Sequence, residues 1–239
     1  MSRVLVVPDS HLKIEVIENG IALAKKHRAD TIVLLGDYFD DWDSVPRQYH
    51  DMIDYLKILL RTTPNVIPLI GNHEFSYMTT FHCSGYNRSV AKELEDMLNN
   101  DMRFLYAAAI DGVLYTHAGV CMQWLRNNKI ITQNDLRLKL PTKSGADLLE
   151  SKINEAPARV FADVGPARGG YTHPSPIWAD LTEAIADPVP VKQVVGHTPV
   201  KQIENIGRIW FVDVYSNMNE DNEYLLVVDG EPQIVYDGE

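Results

Sequence analysis

Short uninterrupted apolar runs alternate, along the first part of the chain, with stretches whose apolar positions recur every three or four residues. Val4-Leu5-Val6-Val7 and Thr31-Ile32-Val33-Leu34-Leu35 are runs of the first kind, as is the segment 65–70. Their length, their β-branched content and the polar turns around them predict buried strands over 3–7, 31–35 and 65–70. Between the runs, Ile14, Ile17, Ile21 and Ala24 share one face of a predicted helix over 13–27. Tyr49, Met52, Ile53, Leu56 and Leu60 share a face of a second helix, opened by Pro46. This βαβαβ order predicts a parallel sheet with right-handed crossovers and helices on its faces.

Further along, the spacing predicts a helix over 89–99, then strands over 104–108 and 113–116 around the turn Asp111-Gly112. After these the pattern reads as more β-rich. Helical signal returns over 145–161 through Leu148, Leu149, Ile153 and Val160, and the Pro- and Gly-rich piece 165–176 reads as an ordered loop. Strands are expected again over 193–195, 208–212, 224–228 and 233–236. No repeat, low-complexity tract or linker divides the 239 residues, so we expect a single domain over 1–239 with a helical and loop insertion at about 126–176.

Composition narrows the function classes. With 45% hydrophobic and 23% charged residues the chain reads as an ordinary soluble enzyme. No apolar run nears the roughly 18 residues of a membrane span, and the N-terminus lacks the basic, apolar and small-residue succession of a secretory signal, so no membrane association and a cytoplasmic location are expected. Cys83 and Cys121 are unclustered, which supports neither a disulfide framework nor a thiolate zinc site; both are expected to be reduced, packed thiols. A formal charge of −11 argues against nucleic acid as a partner, although Arg126 to Arg168 carries 8 Lys and Arg against 5 Asp and Glu and offers a surface to an anionic substrate. Nothing in the pattern bears on oligomeric state.

The candidate chemistry stands where apolar runs end. Asp9-Ser10-His11, Gly36-Asp37-Tyr38-Phe39-Asp40, Gly71-Asn72-His73-Glu74, Thr116-His117-Ala118-Gly119 and Gly196-His197-Thr198-Pro199 all follow such runs, where open α/β sheets present their catalytic loops. Each motif alone has a bland explanation: Asp-x-His arises by chance, Asn72 can cap a helix, and the last motif can be a turn closed by proline. Together they bring Asp9, His11, Asp37, Asn72, His117 and His197. Carboxylate oxygen, amide oxygen and imidazole nitrogen are the donors that a bridged pair of divalent ions takes.

In this order the motifs resemble the calcineurin-like metallophosphoesterase superfamily, from Asp9 to His197. The resemblance implies a four-layer α/β/β/α sandwich with mixed sheets. It implies a first metal ion on Asp9 and His11, a bridging Asp37, and a second ion on Asn72, His117 and His197. It also implies that His73 protonates the leaving oxygen and that Asp40 orients it. A carboxylate partner suits that role, because it raises an imidazole pKa and fixes the tautomer. The donor types accept Mn, Fe, Zn and Ni alike, and manganese is the expected ion in use.

Pro199 stands where many phosphodiesterase members carry a second histidine ligand. Ser175-Pro176-Ile177-Trp178-Ala179-Asp180 is similar to the Leu-Trp-Ser-Asp segment of phosphoprotein phosphatases. The chain therefore looks nearest to the phosphoprotein phosphatase and diadenosine tetraphosphatase branch, of phage or bacterial type. One departure bears on specificity: those phosphatases follow the second Asp of Gly-Asp-x-x-Asp with a phosphate-binding Arg, and here Asp40 is followed by Asp41 and Trp42. Arg168 is the candidate replacement and Trp178 a candidate cleft residue, with Arg88 and Arg159 as further candidates. His82, His173, Tyr77 and Tyr86 lie near the motifs, as cleft residues or as surface and packing groups. The expected function is hydrolysis of a phosphomonoester such as phosphoserine or phosphothreonine. The alternatives are a phosphodiesterase, a dinucleoside polyphosphate hydrolase, or a non-catalytic scaffold that keeps its metals; retention of His73 and Asp40 argues against the last.

Overall fold

The computed structural model describes residues 2–100, 103–138, 140, 144–215 and 223–237. Its opening follows the periodicity: β1 (Arg3–Val7), α1 (Ile14–Lys26), β2 (Thr31–Leu34), α2 (Pro46–Thr62) and β3 (Val66–Pro68). β2 lies parallel between β1 and β3, with Val6 opposite Val33 and Val33 opposite Ile67. Nearly every residue of β1 and β2 is buried, as expected of strands covered on both faces. Two late strands, β9 (Glu223–Val228) and β10 (Glu231–Tyr236), join antiparallel at the β1 side and complete a sheet of order β10-β9-β1-β2-β3.

The second sheet is formed by β4 (Ala107–Ile110), β5 (Val113–Thr116), β6 (Lys192–Val195), β7 (Glu204–Ile206) and β8 (Ile209–Phe211), in the order β4-β5-β6-β8-β7. β5, β6 and β8 are parallel, and β4 and β7 flank them antiparallel. α1 packs on β1 and β2, while α7 (Gly145–Asn154) packs on β4 and β5. The architecture is the α/β/β/α sandwich with two mixed sheets. One apolar cluster runs through both sheets and the helices against them. No helix among the described residues is long and apolar enough to cross a membrane.

The structure corrects the middle of the chain. Between β5 and β6, where the pattern after 116 reads as more β-rich but a helical and loop insertion is expected at about 126–176, stand α5 (Met122–Asn127), α6 (Gln133–Leu138), α7 and α8 (Leu181–Ala186), and no strand among the described residues. α5 buries only Trp124 and Leu125, too few positions to display a helical period. The helix expected over 145–161 stops at Asn154, and a separate 3-10 turn, Ala158–Ala162, follows Pro157, which lacks an N–H and is extended at ψ 140°. The short α3 (Asn72–Met78) and the edge strand β7 carried no sequence signal. The strand expected over 104–108 begins at Ala107; Leu105 makes only an isolated bridge to Leu69.

Candidate active site

Five loops meet at one place because each leaves the carboxyl end of a strand: β1 leads to Asp9, β2 to Asp37, β3 to Asn72, β5 to His117 and β6 to His197. Backbone strain is concentrated there. His11 (φ 41°), Asp37 (50°), Asp40 (67°) and His197 (65°) all occupy the left-handed region, which costs a non-glycine residue about 1 kcal/mol or more. Two glycines permit close approach: a Cβ on Gly71 would lie 2.0 Å from Asp37 Oδ1, and one on Gly196 would lie 2.1 Å from Asp9 Oδ1. Glu74, fully buried, fastens two of the loops together. Its Oε2 accepts the N–H groups of Asp37 (2.7 Å) and Gly71 (2.9 Å), and its Oε1 accepts that of Tyr38 (2.9 Å). Burial and the Asp37 charge push the Glu74 carboxyl up to about 7.

The six candidate ligands are brought together in two groups that share Asp37: Asp9, His11 and Asp37, and Asp37, His117 and His197 with Asn72 beside them. His117 lies at the seam of the two sheets. Its Nδ1 faces the Leu35 carbonyl at 3.0 Å and donates there, leaving Nε2 as an acceptor. Around that Nε2 stand Asn72 Oδ1 (3.1 Å), His197 Nδ1 (3.1 Å) and Asp37 Oδ2 (3.2 Å). Lone pairs this close require a proton or a cation between them. Burial opposes a charge on His117, yet Asp37 and Asp9 hold its pKa up at about 9; burial and the neighbouring His117 push His197 well below its ordinary value. Two facing imidazoles accept one positive charge between them.

Other atoms show the same demand. Asp9 Oδ1 and His197 Nε2 are buried without a hydrogen-bond partner, although Asp9 Oδ2 accepts the His197 N–H at 2.9 Å. Burial and the nearby Asp213 push the Asp9 carboxyl well above the usual range, whereas Asp37, despite burial, is held well below it by His117 and His73. Orphaned buried donor atoms, oxygen and nitrogen in kind, with one carboxylate common to both groups, fit a pair of divalent ions. His11 Nδ1 faces the Asp40 carbonyl at 2.8 Å, which orients that ring.

His73 stands beside this cluster. Its Nδ1 is 2.9 Å from Asp40 Oδ2, its Nε2 is 3.9 Å from Asp37 Oδ2, and its backbone N–H donates to Asp37 Oδ1 at 3.1 Å. Burial disfavours its charge, but Asp37 and the bond to Asp40 hold its pKa well above the ordinary value. Asp40 is itself fixed by two phenols, Tyr77 (2.5 Å) and Tyr49 (2.8 Å), both donating to Oδ1. Tyr77 is thus buried beneath Asp40, not a cleft aromatic, and Tyr86 stacks on it with ring centroids 4.8 Å apart.

A cleft of about 330 Å3 opens over these groups and is also lined by Lys13, Asp41, Trp42, Cys83, Arg168 and Trp178. The two candidate substrate residues reach it in different ways. Arg168 is tied by its Nε to Asp180 (3.2 Å) and by Nη2 to Thr198 Oγ1 (3.1 Å), so its guanidinium is held against the His197 loop. Trp178 packs edge-on to His197 and Phe81. His82 instead stacks on Tyr86, and His173 lines a separate cavity beside Cys121; neither lines the cleft. Cys121 is a buried core thiol as expected, but Cys83 is not: it is half-buried at the cleft, 3.6 Å from His73 Nδ1. Tyr77 was a candidate only as a cleft or packing group, and neither Glu74 nor Tyr49 was given a part in the site. Glu74 closes the motif Gly71-Asn72-His73-Glu74, which could have indicated it; the tyrosines carry no local signal of their contact with Asp40.

Aspartate, asparagine and histidine converging at the strand ends of two mixed sheets form a donor set of the kind that metal-dependent hydrolases use. A sequence profile described as calcineurin-like phosphoesterase matches residues 2–215, and the chain belongs to that family. It is a family of dinuclear metal enzymes acting on phosphoesters. Solved structures with similar folds include a point mutant of a cold-active protein tyrosine phosphatase (17% identity, TM-score 0.60, covering 99% of this chain and 80% of that one). Others are a protein serine/threonine phosphatase from Saccharomyces cerevisiae (14%, 0.53, 100% and 80%) and a putative diadenosine tetraphosphatase (14%, 0.52, 98% and 93%). A search of curated proteins returned no match.

Proposed function

We propose that the chain is a phosphomonoesterase that uses two divalent metal ions, manganese in use, and acts on phosphorylated residues of proteins such as phosphoserine or phosphothreonine. The observation that carries this reading is the placement of His73 beside the ligand cluster, with its Nδ1 on a phenol-braced Asp40 and its Nε2 toward the bridging Asp37. Asp9, His11 and Asp37 would hold one ion, and Asp37, Asn72, His117 and His197 the other. Such a pair supplies a water nucleophile activated at neutral pH and charge balance on the phosphoryl oxygens. The protein does the rest. Asp40 accepts from Nδ1–H and keeps His73 cationic, so that Nε2–H can be given to the leaving oxygen. Arg168, immobilised by Asp180 and Thr198, binds non-bridging phosphate oxygens in place of the arginine that Asp41 replaces, and Trp178 walls the leaving-group side.

A diester or dinucleoside polyphosphate reading has one observation in its favour: exposed Asp41 lines the cleft, where its charge repels a terminal phosphate dianion. Hydrolysis of p-nitrophenyl phosphate and bis-p-nitrophenyl phosphate by metal-stripped and manganese-loaded protein separates the two. The expected result is manganese-dependent preference for the monoester. Diester preference overturns the monoesterase reading, and two bound ions with neither activity favour a scaffold.

A further inference from the structure

Cys83 has no part in the chemistry above, yet its thiol is held at the cleft. Its backbone N–H donates to Ser76 Oγ at 2.9 Å, and its Sγ lies 2.9 Å from the same hydroxyl. One donor atom from each of Cys83, His73 and Asp40 lies within 4.8 Å of the other two, with Sγ 3.6 Å from His73 Nδ1 and Nδ1 2.9 Å from Asp40 Oδ2. They occupy the side of the His73 ring opposite Nε2, which faces Asp37, so this group is separate from the dinuclear ligand set. We propose that Cys83, His73 and Asp40 form a third metal site, selective for thiolate-seeking ions such as Zn2+, whose occupation switches the enzyme off.

The spacing of the sulfur and nitrogen donors suits zinc. Tetrahedral Zn2+ with N at about 2.05 Å and S at about 2.3 Å separates the two donors by about 3.5 Å, close to the spacing in place. The Asp40 oxygen, now hydrogen-bonded to Nδ1, has to draw back by about 0.4 Å to become the third ligand, and water completes the shell. Thiolate, imidazole and carboxylate favour Zn2+, Cd2+ or Co2+ over Mn2+ or Mg2+, which prefer oxygen. On binding, the Cys83 thiol and the His73 Nδ1 release their protons to solvent. A ring carrying a metal on Nδ1 can no longer be the imidazolium that donates from Nε2, and the Asp40 to His73 hydrogen bond is broken.

The inhibitory consequence rests on the proposed role of His73; the site itself does not. Two readouts therefore belong together. Manganese-loaded wild-type protein, Cys83→Ala and Cys121→Ala are titrated with Co2+ while the near-ultraviolet thiolate-to-cobalt charge-transfer band is followed; they are then titrated with Zn2+ while turnover and retained manganese are measured. No dinuclear ligand carries sulfur, so the band reports a cysteine alone. Wild type and Cys121→Ala should develop the band and lose turnover without losing manganese. Cys83→Ala should show no band and, relative to its own zinc-free turnover, at least about tenfold weaker inhibition, since loss of even an outer-shell partner costs that much affinity. Cys83→Ser, which keeps the bond to Ser76 and removes only the soft donor, should match Cys83→Ala and covers a folding failure of the latter. Absence of the band in wild type, or its persistence in Cys83→Ala, overturns the site. A band without inhibition overturns the switch and the His73 role while leaving the site standing.

Discussion

Glu74→Gln isolates what the buried carboxylate does for the metal loops. In wild type its two oxygens accept three backbone N–H groups, from Asp37, Gly71 and Tyr38. Glutamine offers one oxygen, which can keep Asp37 and Gly71, and turns an NH2 toward the Tyr38 N–H. One buried donor then faces another donor, at about 1–3 kcal/mol, and two charge-assisted bonds become neutral, at about 1 kcal/mol more. Because Asp37 is common to both ligand groups, displacement of its loop should appear as weaker metal binding as well as lower stability. About 1.4 kcal/mol reaching the ions is a tenfold loss, so Mn2+ affinity should fall about 10–100-fold, the range for partners that orient ligands. The assay is Mn2+ titration by calorimetry on metal-stripped protein, with circular dichroism to show that the fold is kept and thermal melts for the stability share. Unchanged Mn2+ affinity in a destabilised Glu74→Gln protein would leave Glu74 a purely structural clamp with no share in metal binding.

His73→Ala should lower kcat strongly on alkyl phosphates, by about 10²–10⁴-fold, and much less on p-nitrophenyl phosphate, whose leaving group needs no proton; an equal loss on both would sink the acid assignment. The His73 pKa is raised above its unfolded value of 6.5, so the proton it donates, and the stability its charge brings, are in place below that value and are lost as pH rises through the folded pKa. Asp40→Asn removes the charged acceptor and should move the basic limb of the kcat profile to lower pH, as measured on the manganese enzyme. Asp37→Ala should lose bound metal, read by elemental analysis, whereas His73→Ala should retain it. Arg168→Ala should raise KM for monoesters more than for diesters; a uniform change would place Arg168 in holding the His197 loop alone.

Much of the candidate site was legible because its candidate ligands directly follow strands. An apolar run such as Val4-Leu5-Val6-Val7 marks a buried parallel strand, and parallel strands bring their carboxyl ends to one edge, so the positions of Asp9, Asp37, Asn72, His117 and His197 are local facts with a shared geometric consequence. What escaped depends on approach across the fold. Tyr49 projects from α2 onto Asp40, and Tyr77 reaches the same oxygen from α3, a helix too short for its period to register. Cys83 reads as an isolated thiol along the chain and becomes a neighbour of His73 only because Ser76 holds it back against α3. In the middle region α5 buries only Trp124 and Leu125 and α8 only Ala184, too few for a period to register, while α7 was legible but its period runs on along the chain through Pro157.

The distribution of strain and unpaired polar atoms also bears on the scaffold alternative. Four left-handed non-glycine residues and the orphaned Asp9 Oδ1 and His197 Nε2 all reduce stability in the metal-free chain, a cost that cations bound there would offset. A scaffold that retained metals would account for those features. It would not account for Asp40, which is nearly fully buried yet keeps one oxygen for His73 while two phenols occupy the other. Burying a carboxylate and three polar partners to fix a single imidazole beside a metal cluster stabilises a fold poorly compared with apolar packing. It does fix the ring's tautomer, charge and direction, and those properties matter to proton transfer far more than to passive binding.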